Sequence, residues 1–359
     1  MSFLISFAIT LCFVPLLKRL ALRIRFTDKP DERKTHEGNI PPIGGIAIFL
    51  PFLALMIAEN DETVFTSTPF YCALSLLLIT GVIDDARHIN AKLKFVIHFI
   101  AAILVVWGGA NLVTMGNLFG YGITDFGMLA PFFSVCCVVY LINAMNMIDG
   151  VDGLAGGVSL VIVAFLGLAC VTHGVVMPTG LAMLGGGLCG FLVYNLRSPF
   201  RKKASVFLGD AGSMSLGLIL AWYAMSLSQE PYALFAPITV AWILAFPIWD
   251  AFGLFSARIR EGRHPFSPDR RHFHHHFLEA GFTPGQTTVI ITCYAALLGA
   301  IGVFLPATGV PVWVLTYIWI ILWIAHAQLT FKPNSFIRFL RRIRGSSSQE
   351  EQLQDHTAH

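Results

Sequence analysis

The 359-residue chain is 55% hydrophobic but only 13% charged, with a mean hydropathy of +0.69 and a formal net charge of +3. That composition excludes an ordinary soluble globular domain. The seven cysteines (Cys12, Cys72, Cys136, Cys137, Cys170, Cys189 and Cys293) all fall in apolar runs and form no C-x-x-C pair, which excludes a disulfide framework and a zinc ribbon.

Runs long enough to cross about 30 Å of hydrocarbon recur along the whole sequence. In chain order the predicted spans are roughly 3–20, 42–58, 69–83, 94–110, 128–146, 154–172, 177–195, 206–227, 232–256, 287–305 and 311–330. The first has no basic residues ahead of it and no small-x-small cleavage site. Lys18, Arg19, Arg23 and Arg25 follow it, so it is expected to be a retained signal anchor. With the N-terminus outside, all 24 Lys and Arg fall in the inside segments, while the outside loops hold Glu59, Asp61, Glu62, Asp125 and Glu230. Positive charge stays on the cytoplasmic side of short loops, and a miscounted span would scatter it over both faces. The expected fold is an all-α integral membrane protein: a polytopic bundle of about 11 transmembrane helices, N-terminus periplasmic and C-terminus cytoplasmic. Residues 1–335 are expected to form the membrane-embedded domain with cytoplasmic loops. Residues 336–359 are expected to be a basic and then disordered tail, because "GSSSQEEQLQDHTAH" is polar and low in complexity.

Six acids gather at one predicted level. Asp84 and Asp85 ("GVIDDARH") end the third span. Asp149 and Asp152 ("NAMNMIDGVDGLAGG") lie in the turn between the fifth and sixth. Asp210 ("VFLGDAGS") begins the eighth, and Asp250 ("FPIWDAF") lies in the ninth, nearer its cytoplasmic end. Acids at membrane depth are costly and point to function. The plainer reading of any one of them is a helix cap or an interface anchor. The adjacent pair Asp84–Asp85 weakens it, since two carboxylates repel unless a cation or proton offsets them. Asp149 and Asp152, three apart, would share a face on a helix. This many hard oxygens suits Mg²⁺ or Mn²⁺. Asn143 and Asn146, a turn ahead, are placed to orient the acids or bond a ligand.

Three loops bring positive charge to the same face. "DKPDERKTHEGNIPPIGG" (28–45) carries Lys29, Arg33, Lys34 and His36, and its Pro-Pro-x-Gly-Gly turn could aim backbone N–H groups at a phosphate; a plain loop reads equally well. "RSPFRKK" (197–203) adds four basic residues. The loop 257–286 adds Arg258, Arg260, Arg263, Arg270 and Arg271 and the run "RRHFHHHF". His272 and His276 have i, i+4 spacing that a zinc site could use, but no cysteine lies nearby and Mg²⁺ is a poor partner for imidazole. The run therefore reads as a handle for an anionic substrate. His98 and His326 read as packing residues, and His88 as interfacial. Acids ringed by cations suit phosphoryl transfer.

These blocks, in this order, resemble the signatures of the polyprenyl-phosphate N-acetylhexosamine-1-phosphate transferases, over residues 1 to about 335. The loop 28–45 resembles the GlcNAc-type branch of that family, not the branch that takes MurNAc-pentapeptide. The resemblance implies an enzyme of the bacterial inner membrane, with its active site on the cytoplasmic face. It would move GlcNAc-1-phosphate from UDP-GlcNAc to undecaprenyl phosphate and release UMP, with Mg²⁺ or Mn²⁺ as cofactor. The product would start O-antigen or enterobacterial common antigen synthesis. Asp210 would bind the metal, joined by Asp84 and Asp85, one of which is also a candidate base. Asp149 and Asp152 would serve catalysis or nucleotide binding. His272, His274 and His275 would bind the UDP portion, with Arg258, Arg260 and Arg263 as helpers and Asn146 and Lys34 as further substrate contacts. The expected partners are the two substrates, the lipid bilayer and a second copy in a homodimer, and not nucleic acid. Another hexosamine, such as GalNAc or MurNAc-pentapeptide, is the runner-up donor. A cation- or proton-coupled transporter would place its acids near the midplane with paths to both faces, and no internal repeat is evident. A scaffold protein would leave the acids unexplained.

Overall fold

The computed structural model describes residues 1–28, 39–59, 68–197, 201–263 and 271–345. The helices are α1 Ser2–Arg23, α2 Gly44–Glu59, α3 Thr68–Arg87, α4 Ala91–Trp107, α5 Ala130–Ile148, α6 Leu154–Thr172, α7 Thr179–Asn195, α8 Gly209–Ser228, α9 Pro237–Ile243, α10 Ala245–Arg260, α11 Phe273–Glu279, α12 Pro284–Ala307, α13 Val312–Phe331 and α14 Pro333–Arg344. Each of the eleven apolar runs falls on a helix, and the ninth is broken into α9 and α10 at Leu244 with a 76° bend. Hydropathy cannot reveal that bend, because the sequence stays apolar through it.

By length and composition, α1, α3, α5 with the turn ahead of it, α6, α8, α12 and α13 are able to cross a membrane, and α9–α10 makes an eighth if it is one span. The helices α2 and α7 are apolar but shorter. The chain is thus an all-α, multi-pass membrane protein, and among the described residues seven or eight helices are of spanning length, where eleven spans were expected. Bulky apolar side chains such as Leu16, Ile57, Ile79, Ile103, Phe132, Leu297 and Ile321 are exposed on the helices. Such surface suits lipid and not water.

Helix α8 is the central element. Nearly every residue from Ala211 to Ser228 is buried, and α3, α5 and α2 pack around it. Its "GDAGSMSLG" start is small enough for other backbones to approach closely. A Cβ on Gly81 of α3 would lie 2.2 Å from the Ala211 Cα, and one on Gly45 of α2 2.3 Å from the Gly212 nitrogen. Outside this centre α1 packs on α7, α6 on α12 and α10 on α13. A two-stranded hairpin, β1 Thr114–Gly116 and β2 Thr124–Asp125, follows α4 and was not expected. Gln229, just past α8, holds it: its Oε1 accepts from the Val113 and Thr114 N–H groups.

The domain boundary expected at residue 335 falls inside α14, which packs against α11. That helix joins the body of the protein. Residues 346–359 lie outside the described residues.

Candidate active site

The ends of α3, α4, α5 and α8 meet at one end of the bundle. His88, with a φ of 51°, turns the chain after α3, and the Asn90 side chain caps α4 by accepting from the Lys92 N–H at 2.8 Å. This tight return brings Lys94 back to Asp84. Asp84 Oδ1 accepts from the Ile89 N–H at 2.6 Å, and its Oδ2 lies 2.7 Å from Lys94 Nζ. The same ammonium lies 2.9 Å from Asp210 Oδ2. Asn146 donates to Asp210 Oδ1 and to Ser213 Oγ. Asp85 is turned away from that cluster: its Oδ1 and Oδ2 accept from the backbone N–H groups of Asp210 and Ala211 at 2.9 and 3.3 Å. A carboxylate at this position satisfies orphan donors of α8 and favours its dipole. Of the adjacent pair, Asp84 is thus offset by Lys94 and Asp85 by a helix terminus.

Asp149 ends α5, and Gly153, with a φ of +79°, opens α6. The two acids expected to share a helical face are instead split by this glycine turn. Asp152 pairs with Arg197 Nε at 2.6 Å, and its carbonyl accepts from Thr288 Oγ1. The Gly153 N–H donates to Asn195 Oδ1 at 2.7 Å, fixing the turn against the end of α7. Asp149 makes no side-chain hydrogen bond among the described residues. Burial, then the charges of Asp210, Asp85 and Asp152, push its carboxyl well above the usual range. Among the described residues Asp149 therefore faces the other acids without a cation of its own.

The histidine segment is set by Asp250, which is fully buried in α10. Its Oδ1 accepts from the Phe273 N–H at 2.9 Å and its Oδ2 lies 3.0 Å from His272 Nδ1, which fixes the start of α11. His274 stacks on His272, rings 10° apart, and is also close to His275. Its other neighbour is Gly150, where a Cβ would come within 2.6 Å of His274 Nε2. The histidines therefore adjoin the turn that carries Asp149. His274 is buried, with neither ring nitrogen bonded among the described residues. Burial, then the charges of His272 and His275, hold its pKa well below the ordinary value, so it is a neutral imidazole at pH 7. His275 is half-buried. His276 packs on Phe336 instead. His98 and His326 are buried, His98 beside Met214 and Asn143 and His326 among Trp249, Phe273 and Tyr294.

The other expected residues divide. Arg258 is buried over Phe255, and Arg263 pairs with Glu261 at 3.5 Å. Lys34 lies outside the described residues. The Pro-Pro-x-Gly-Gly turn does not present its N–H groups to a phosphate. Gly44 and Gly45 donate to the Phe207 and Leu208 carbonyls at 2.8 Å each, seating the segment that leads to Asp210. Sequence reasoning missed Lys94; its signal is a lysine ten residues after Asp84, at the mouth of an apolar run. Among the described residues no three His, Cys, Asp or Glu side chains converge as a protein-only metal site.

A bundle of apolar helices whose acids, one lysine and a histidine segment collect at one end defines a multi-pass membrane protein with a charged site at a bundle end. Residues 67–228 match the family described as glycosyl transferase family 4. The chain is 33% identical over 351 residues to the undecaprenyl-phosphate alpha-N-acetylglucosaminyl 1-phosphate transferase of Salmonella typhi, covering 96% of this chain and 94% of that protein. It is 31% identical over 344 residues to the protein of that name from Escherichia coli strain K12, covering 94% and 92%. A probable undecaprenyl-phosphate N-acetylglucosaminyl 1-phosphate transferase of Bacillus subtilis strain 168 is 28% identical over 352 residues, covering 95% and 96%. The chain belongs to the polyprenyl-phosphate N-acetylhexosamine-1-phosphate transferase family and is a membrane transferase.

Proposed function

We propose that this chain transfers GlcNAc-1-phosphate from UDP-GlcNAc to undecaprenyl phosphate, giving undecaprenyl-diphosphate-GlcNAc and UMP. The observation that carries the reading is the sharing of one ammonium, Lys94, between Asp84 and Asp210, with Asn146 and the Asp149 turn beside them. The relatives' names supply the two substrates.

An oxygen of the lipid phosphate attacks the β-phosphorus of the nucleotide sugar. The new P–O bond forms as the bond from that phosphorus to the UMP oxygen breaks, and UMP leaves with the electron pair. One anhydride replaces another, so the reaction is near balance. Two anions must meet, and Lys94 supplies fixed positive charge where they do. A phosphate monoester has a second pKa of about 6, so little proton removal is needed near neutral pH. Asp84, bonded to Lys94 and to the Ile89 N–H, is fixed to take the residual proton or to orient the ammonium. Asp250 fixes the His272 ring, and neutral His274, whose ring nitrogens have no hydrogen-bond partner among the described residues, would donate a ring N–H to the nucleotide.

A divalent ion fits the donor set by its chemistry: all donors are oxygen, and two carboxylates already converge on one cation. Mg²⁺ takes one or two carboxylates, phosphates and water in preference to an all-protein cage. Asp210, with Asp84, would hold Mg²⁺ or Mn²⁺, which would supply neutralisation of the diphosphate charge when bound. Asp85 is engaged with α8 and is assigned to positioning. The one-sided distribution of Lys and Arg supports eleven crossings, a periplasmic N-terminus and a cytoplasmic active site in a bacterial inner membrane. The product would serve O-antigen or enterobacterial common antigen synthesis.

The test is UMP release by purified protein with Mg²⁺ and undecaprenyl phosphate. UDP-GlcNAc is expected to support release, and UDP-GalNAc and UDP-MurNAc-pentapeptide are not. Release only with another sugar would reassign the donor, and no release with any would overturn the enzyme reading.

A further inference from the structure

We infer that α14 is a membrane-surface helix that docks on anionic lipid headgroups and, through its inner face, holds the histidine helix α11 in place. Helix α13, of spanning length, ends at Phe331, and α14 begins at Pro333 after Lys332 alone. The helix therefore emerges where the apolar span ends, and its continuity with that span assigns its outer face to the lipid surface.

The sequence "PNSFIRFLRRIR" divides into three faces at 100° per residue. Ile337 and Leu340 are buried against the protein. Phe339 and Ile343, on the next part of the apolar arc, are 56% and 64% exposed with nothing covering them among the described residues. Arg338 and Arg342 flank that pair on the polar side and are exposed. Exposed aromatic and aliphatic side chains beside arginines on a short helix are the pattern of a helix lying in the headgroup plane. The two arginines match negatively charged headgroups.

The inner face reaches the site. Phe336 stacks on Phe273 at 5.5 Å and meets His276 and Phe277 edge-on. Arg341 and Arg344 donate to the Glu279 and Ala280 carbonyls at the end of α11, at 3.3 and 3.5 Å. Those carbonyls are the unsatisfied, negative end of a helix, where cations are favoured. The lipid contact stands apart from the proposed reaction.

The test is hydrogen exchange of the full-length protein in nanodiscs of phosphatidylcholine alone and of an equal mixture with phosphatidylglycerol. Two arginines at an anionic surface are expected to slow exchange over 333–344 about 30-fold, or about 2 kcal/mol. Slower exchange over 273–279 should accompany it, with α8 unchanged. The double variant R338E/R342E should lose the response to phosphatidylglycerol. The variant F339S/I343S should exchange faster over 333–344 in both discs. Identical wild-type exchange in the two lipids, a response retained by R338E/R342E, or full protection in F339S/I343S would each overturn the proposal. Slower exchange over 333–344 without any change over 273–279 would overturn the link to α11. Exchange needs no turnover, so a protein that releases no UMP yet responds to phosphatidylglycerol refutes the proposed reaction and not this contact.

Discussion

Replacing Lys94 by Met removes the one ammonium held between Asp84 and Asp210 while keeping the length and apolar stem of the side chain. The two contacts, 2.7 and 2.9 Å, are then lost together, and two carboxylates are left facing each other. Breaking a buried ion pair from one side costs about 3–5 kcal/mol. The Asp210 side chain is 31% exposed, so solvent screens its share, and the cost falls to about 2–3 kcal/mol. At roughly 2.1 cal/mol/K per residue, that lowers the unfolding midpoint of a chain this long by about 3–4 °C. Mg²⁺ bound by the freed carboxylates should return most of it, since a ligand at 100 times its Kd stabilises by about 2.7 kcal/mol. The assay is thermal unfolding in detergent, with EDTA and with Mg²⁺. The variant should melt below wild type in EDTA and recover in Mg²⁺ more than wild type gains. Equal midpoints in EDTA, or an equal gain in Mg²⁺, would refute the shared-cation arrangement.

Gly81→Ala should be severely destabilising, by about 3 kcal/mol or more, because its Cβ would lie 2.2 Å from backbone of α8 that has no room to retreat; a folded yield equal to wild type would contradict that packing. Gly150→Ala should raise the KM for UDP-GlcNAc by displacing His274, with thermal stability little changed, and initial-rate kinetics decide it. Asp250→Asn keeps an acceptor for the Phe273 N–H but loses the charge facing His272, a loss of about 1.5–3 kcal/mol that should appear as a tenfold or larger rise in KM. Asp149 holds a proton in the folded state that the unfolded chain gives up near pH 4, so its contribution to stability is lost as pH rises. Asp149→Asn should therefore melt above wild type at pH 8, with the gap closing toward pH 4; a gap independent of pH would assign its effect to something other than ionisation.

Much of this was legible because apolar length is a strong signal. Every predicted span lies on a helix, and two of the acids on separate span ends, Asp84 and Asp210, meet at Lys94. What the sequence hid were directions. Asp84 and Asp85 are neighbours in the chain, yet one carboxylate turns to Lys94 and the other to the α8 backbone. No pattern in "VIDDAR" separates them, because the difference arises from where α8 begins. Asp149 and Asp152 were expected on one face, but the glycines between and after them allow a turn that sends Asp152 to Arg197. In the histidine run the spacing could not show that Asp250, 22 residues upstream, would orient His272, or that Phe336 would claim His276. The 76° bend at Leu244 and the Gln229-bound hairpin rest on tertiary contacts that hydropathy does not record.

Transfer of sugar phosphate at the Asp84–Lys94–Asp210 site is decided by the fate of the β-phosphorus. With UDP-GlcNAc labelled at that phosphorus, undecaprenyl phosphate and Mg²⁺, label is expected in the lipid product and unlabelled UMP in the aqueous phase, and neither is expected from Asp210→Asn. Label left in aqueous UDP, with the sugar alone on the lipid, would contradict it.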